Sequence, residues 1–177
     1  MSSSYGLGGL LIPKKRRIFV SYHHHSDQWY FNEFTRFFGE LYETVQDNSL
    51  DRTIDSDDVD YVMRRIRESY ITGTSCTIVL CGPMTRWRKY VDWEIKATLD
   101  KCHGIIGVKL PNNPADVNGG VHKPDRLQDN INTGYAVWIT WEELNKGPAF
   151  LKTCIEIATA KSVILIDNRR NLRKRNG

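Results

Sequence analysis

Cys76-Thr-Ile-Val-Leu-Cys81-Gly-Pro83 is the stretch on which the fold turns. Six apolar or β-branched residues run without a charge and stop at a Gly-Pro break. An unbroken apolar run of strand length, without in/out alternation, predicts a strand buried on both faces. Such strands occur in parallel sheets covered by helices. Arg17-Ile-Phe-Val-Ser-Tyr22 and Gly104-Ile-Ile-Gly-Val-Lys-Leu110 share this character. Tyr42 to Gln46 is a weaker strand candidate and Tyr135 to Thr140 a fifth.

Helical patterns fill the gaps. After the first strand, Ser26 or Asp27 can cap a helix whose apolar stripe is Phe34, Phe37, Phe38 and Leu41. A polar loop from Asp47 to Asp58 leads into a second helix with Val59, Val62, Met63, Ile66 and Tyr70, closed by Gly73. A third helix is expected from about Thr85 to Cys102, with Val91, Ile95 and Leu99 on its core face. A long loop is expected from Pro111 to about Asn132. Pro148 opens a last helix with Leu151, Cys154, Ile155 and Ala158 on one face, and Lys161 to Ile166 extends it or forms a short strand. Strands alternating with helices give the α/β class: a flavodoxin-like three-layer sandwich around a mainly parallel five-stranded sheet. Ligands in such folds bind beyond the carboxyl ends of the strands, near a topological switch point. The residues just after Tyr22, Val45, Cys81 and Leu110 are therefore the ones to inspect.

The 177 residues suit one domain. We expect a flexible N-terminal extension over 1–16, the domain over 17–167, and a basic tail over 168–177. No run approaches the roughly 18 apolar residues of a membrane span, and the N-terminus is a poor signal peptide. The chain has 25 Lys and Arg against 21 Asp and Glu. Nine of the basic residues lie in Lys14–Arg17 and at Arg169, Arg170, Arg173, Lys174 and Arg175. The other 16 face 21 acidic residues, so the body is net negative by five. Basic ends on an acidic body read as solvated tails and do not point to a nucleic-acid partner. Cys76, Cys81, Cys102 and Cys154 form no C-x-x-C pair, which argues against a zinc site and fits buried thiols in a reducing cytoplasm. Cys76 and Cys81 should point to opposite faces of their strand.

The strand ends exclude several chemistries. No G-x-G-x-x-G follows the first strand, and no P-loop or G-x-S-x-G elbow occurs. His23, His24 and His25 would diverge on a turn, so no single metal can collect all three, and no metal site is expected. What remains lies on the third helix: Trp87-Arg-Lys-Tyr90-Val-Asp-Trp93-Glu94. At about 100° per residue, Glu94 sits at the edge of the core stripe, with Tyr90 and Trp87 four and seven residues before it on the same flank. A carboxylate beside two aromatics suits a flat ligand that develops positive charge. The competing reading pairs Glu94 with a surface lysine and leaves the aromatics as packing.

Ile18-Phe-Val-Ser-Tyr22 followed by Asp27 resembles the first strand and loop of TIR domains. Tyr90-Val-Asp-Trp-Glu94-Ile95 resembles their third-helix motif, with Tyr90 where many TIR enzymes have Trp; Trp93 or Trp87 would compensate. Together with Pro124–Asn130 and Gly134-Tyr135-Ala136, the order of motifs from about Arg17 to Asp167 is similar to the TIR-like family of bacterial antiphage defence, the Thoeris ThsB-like proteins. The resemblance implies a TIR-like sandwich and an NAD+ nucleosidase or ADP-ribosyl cyclase type of enzyme. It would cleave the nicotinamide–ribose bond of NAD+ in the cytoplasm, with NAD+ as substrate and no cofactor. The product would be a cyclic or conjugated ADP-ribose signal that diffuses to a separate effector protein. Glu94 would be catalytic, with Ser21, Tyr22, His23 and Asp27 lining the pocket and Tyr90 beside it. Phosphate contacts would come locally, from Arg86, Arg88, Lys89 or Arg126. The three-histidine loop would help choose the acceptor. Self-association would use the acidic loop from Asp47 to Asp58. The alternative is a non-catalytic TIR-like module that binds proteins or a nucleotide.

Overall fold

A computed structural model describes residues 15–46 and 58–177. The strands are β1 (Arg16–Ser21), β2 (Tyr42–Val45), β3 (Cys76–Cys81), β4 (Gly104–Lys109) and β5 (Val137–Thr140). All four pairings are parallel, in the order β2-β1-β3-β4-β5. Every residue of β3 is buried, as its apolar run requires of a central strand.

The helices are α1 (His24–Phe38), α2 (Val59–Arg65), α3 (Lys89–Asp100), α4 (Asp125–Asn132), α5 (Trp141–Leu144) and α6 (Pro148–Thr159). Alternate strand residues feed two cores. On one side, Ile18, Val20, Cys76, Ile78 and Leu80 pack against Phe31, Phe34 and Phe38 of α1 and Leu151, Cys154, Ile155 and Ala158 of α6. On the other, Phe19 meets Val62, Met63, Trp93 and Ala97, while Val79, Cys81 and Ile105 meet Val91, Ile95, Leu99 and Leu127. Cys76 and Cys81 do face opposite sides. Burial holds the Cys76 thiol up near pH 12, far from thiolate chemistry.

Several expectations are corrected. The buried stripe of α1 is Phe31, Phe34 and Phe38; Phe37 and Leu41 are about half exposed, Phe37 because it lies well off that stripe around the helix and Leu41 because the helix ends at Phe38. His23, not Ser26 or Asp27, is the N-cap, and its side chain makes no capping bond. The second helix is α2 continued by a π-helical segment, Ile66–Ile71. The third is broken into a 3-10 turn, Thr85–Trp87, and then α3. The expected long loop ends in α4, and Val163–Leu165 is a 3-10 turn, neither helix extension nor strand. The N-terminal extension and the acidic loop lie outside the described residues except for their last positions; Asp58 caps α2 by accepting from Tyr61 N at 3.0 Å. Residues 168–177 are not a loose tail. They run back over α3 and α4, held by Arg126, Asp92, Trp93 and Asp129.

Candidate active site

The order β2-β1-β3 makes β1 and β3 the switch point, where connections depart to opposite faces. Ser21 ends β1 there, with Tyr22 and His23 leading into α1. α3, which follows β3, crosses the same edge. Ser21 Oγ donates a hydrogen bond to Glu94 Oε2, and both side chains are buried, Glu94 at 5% exposure. A carboxylate removed from water is a costly group in a fold's interior unless it is well partnered. It is not the surface Lys–Glu pair that the sequence left open.

Glu94 opens on a narrow cleft lined by Tyr22, His23, His24, Arg88, Tyr90 and Val91. The Tyr22 ring is stacked between His24 at 4.2 Å and Phe31 at 4.7 Å, and its hydroxyl lies 2.7 Å from Gln46 Oε1. Tyr90 is wedged edge-on against Trp93, with ring centres 5.6 Å apart. The cleft's free volume is only about 10 Å³ among the described residues. That is the threshold for one water molecule, far below the several hundred Å³ of an ordinary ligand site. The larger grooves lie elsewhere: about 300 Å³ beside Trp29, Phe37 and Trp141, and about 810 Å³ between α3 and residues 168–174.

Of the residues singled out from the sequence, Ser21, Tyr22, His23, Tyr90 and Glu94 come together. Asp27, Trp87 and Arg126 do not line the cleft. Asp27 lies in the first turn of α1, fully buried. It accepts from Asn112 Nδ2 at 3.1 Å and from Thr85 Oγ1 at 3.3 Å. A Cβ at Gly82 would collide with its carboxylate. Asp27 thus ties the loops after β1, β3 and β4 together just behind the cleft. Burial raises its carboxyl above the ordinary range, and the two hydrogen bonds offset only part of this.

Trp87 sits in the 3-10 turn, so the helical spacing that would align it with Glu94 is broken at Arg88. Its ring packs under the Arg86 guanidinium at 4.4 Å and against Gly177. Arg126 is fully buried and grips both oxygens of Asp92, at 2.9 and 3.3 Å, as well as Asn168 and the Asn171 carbonyl. This pairing consumes the charge that the sequence reading had offered to a phosphate. Arg86 is engaged with His122 and Asp125, and Lys89 lies over Tyr90 and Trp93. Only Arg88, of the four cations considered, reaches the cleft, and its buried Nε has no hydrogen-bond acceptor.

Sequence reasoning offered His24 only as part of the histidine loop that chooses the acceptor, and it missed Asn112 and Thr85 as supports of Asp27. The His24 signal was present in the histidine run; the other two have no local signature, because they meet Asp27 only through the fold. His25 is exposed, so the run is split by the start of α1. No group of three or more metal-binding side chains occurs among the described residues, nor does any helix long and apolar enough to cross a membrane.

A family model described as "Thoeris protein ThsB, TIR-like domain" matches residues 19–115, more than half of the chain. That span runs from within β1 through β4 and includes every residue of the Glu94 cleft. No curated protein matches the chain.

Proposed function

From the premise that the chain belongs to the Thoeris ThsB TIR-like family, we propose that it is a defence enzyme that breaks the nicotinamide–ribose bond of NAD+. The observation that carries this reading is the buried Glu94 carboxylate, bonded to Ser21 at the switch point and flanked by Tyr90 and Arg88.

The chemistry asks little of the protein. The bond between ribose C1′ and the pyridinium nitrogen breaks, and its electron pair returns to the ring. Nicotinamide leaves neutral, so departure requires no general acid. Positive charge develops on the ribose, as in glycoside transfer. Glu94 stabilises that charge electrostatically or orients the ribose hydroxyls, and its desolvated setting strengthens the effect. Ser21 holds the carboxylate in place. Tyr90 offers aromatic surface to the nicotinamide, and Arg88 supplies the local cation for the pyrophosphate. The acceptor then adds to C1′ and gives up its proton. Water yields ADP-ribose; an internal hydroxyl or an added nucleophile yields a cyclic or conjugated signal for a separate effector. His23 and His24 border the cleft where this choice would be made.

Nicotinamide release from NAD+ by wild type and Glu94→Gln, with and without phage-infected lysate, tests the reading. Turnover that depends on Glu94 in either condition supports it. Turnover in neither condition overturns it. The cleft's small volume favours one other reading, a non-catalytic module acting through its surface; in that case the protein would bind a partner with no nicotinamide released. His23→Ala and His24→Ala should change the ratio of products more than the consumption of NAD+. Equal loss of all products would count against a role in acceptor choice.

A further inference from the structure

The cleft is shut by a turn, and that turn is pinned by residues 173–177. Arg88 and Tyr90, two of the cleft's walls, sit on the turn from Trp87 to Tyr90 that opens α3. The peptide groups on either side of Arg88 are both held from outside. Gly177 N donates to Trp87 O at 3.1 Å, and Lys89 N donates to Asn176 Oδ1 at 2.9 Å. Arg88, the N-cap of α3, provides no capping bond of its own, so Asn176 caps the helix from 87 residues away in sequence. One turn further on, Trp93 Nε1 donates to Arg173 O at 2.8 Å, and Arg173 N donates to Asp92 Oδ2 at 2.8 Å.

The two halves of the C-terminal segment are fastened differently. Residues 167–171 are bolted down by two buried side chains: Asn130 exchanges two bonds with the Asp167 backbone, and Arg126 holds Asn168 and Asn171; Arg170 adds an exposed fork onto Asp129 at 2.8 and 2.9 Å. Residues 172–177 bring only Leu172 to the core, use none of their own side chains as a buried anchor, and otherwise rest on single hydrogen bonds and the partly exposed Arg173–Asp125 pair. Single, partly hydrated hydrogen bonds and screened ion pairs release at low cost, while the bolted half keeps the strap tethered.

We infer that residues 172–177 are a strap that holds the Trp87–Tyr90 turn closed over Glu94, and that releasing this strap opens the cleft to substrate. The inference rests on the Glu94 cleft being the substrate site. Asn176 and Arg173 are positioning residues in it: they act through the turn and never touch the substrate.

The test uses the full chain carrying Arg173→Glu with Asn176→Ala, which sets like charges at Asp125 and removes the helix cap. Without infected lysate, this variant should release nicotinamide at least about tenfold faster than wild type, since a closed state of this kind opens only about 0.1–10% of the time. Amide exchange should quicken in residues 87–93 and stay unchanged in β4. A chain shortened by residues 172–177 should behave the same way. Turnover equal to or below wild type, with unchanged exchange at 87–93, would overturn the strap while leaving Glu94-dependent turnover in wild type intact. Faster exchange and gained binding of ADP-ribose, with no turnover in any variant or condition, would instead sink the enzyme reading and keep the strap. If the shortened chain melts before wild type, the double variant decides.

Discussion

Asp92 and Glu94 are carboxylates two residues apart on α3, buried almost equally at 6% and 5% exposure. They do different work. At 100° per residue they point to opposite sides of α3. Asp92 faces α4 and the returning C-terminal segment, where Arg126 forks onto it and Arg173 N donates to it. Its charge is fully answered. Glu94 faces β1 and meets the Ser21 hydroxyl beside a cleft. The comparison teaches that burial alone does not mark a reactive carboxylate. What marks Glu94 is burial against the Ser21 hydroxyl at the switch point, lining a cleft.

The largest expected effect lies on the structural side. Asp92→Ala leaves Arg126 buried without its partner and should cost about 3–5 kcal/mol of stability. That corresponds to a melting point lower by about 10 °C. Replacing both partners, Asp92→Leu with Arg126→Met, should recover part of the loss. A wild-type melting curve for Asp92→Ala would erase the distinction drawn here. On the reactive side, Glu94→Gln should lower nicotinamide release by about 10²–10³-fold, the scale of removing one preorganised electrostatic group. Its melting point should stay near that of wild type; a loss as large as that of Asp92→Ala would make Glu94 structural too.

Ser21→Ala sharpens the comparison at smaller scale. Losing one hydrogen bond to a charged group is worth about 1.5 kcal/mol, so turnover should fall about tenfold with the fold intact. An unchanged rate would remove Ser21 from the positioning of Glu94. Asp27, the third buried carboxylate, should give the smallest effect. Burial raises its folded carboxyl above the unfolded value. Its contribution is therefore fully present below the unfolded value, near pH 4, and is lost as pH rises through the folded one. Asp27→Asn removes that loss while keeping the Asn112 contact. The variant should melt slightly above wild type at pH 8, by an equivalent of about 1 kcal/mol or less, and the advantage should vanish near pH 4. A constant deficit across that range would show that both carboxylate oxygens are needed.

Much of the frame was legible because burial writes itself locally. The apolar run of β3, the Val91–Ile95–Leu99 face of α3 and the Leu151–Cys154–Ile155–Ala158 face of α6 all lie where their spacing put them. Ser21, Tyr22, His23, Tyr90 and Glu94 were brought together as the resemblance implied. Trp87 and Arg126 were not. Trp87 failed because helical spacing was carried across a turn that is not α-helical. Arg126 failed because its partner, Asp92, lies 34 residues away and no local pattern announces the pair.

The sequence by itself determined the parallel sheet, its helical cover and the position of Glu94 beside the switch point. Each follows from short-range periodicity: strands and helices hide their apolar residues at fixed intervals, and those intervals can be read one segment at a time. The tertiary structure alone decided which charge meets which partner. It gave Arg126 to Asp92, set Arg88 at the cleft, and turned a basic tail into a strap across α3. Such pairings join residues tens of positions apart, and their energies depend on who meets whom in a dry interior, which no local spacing records.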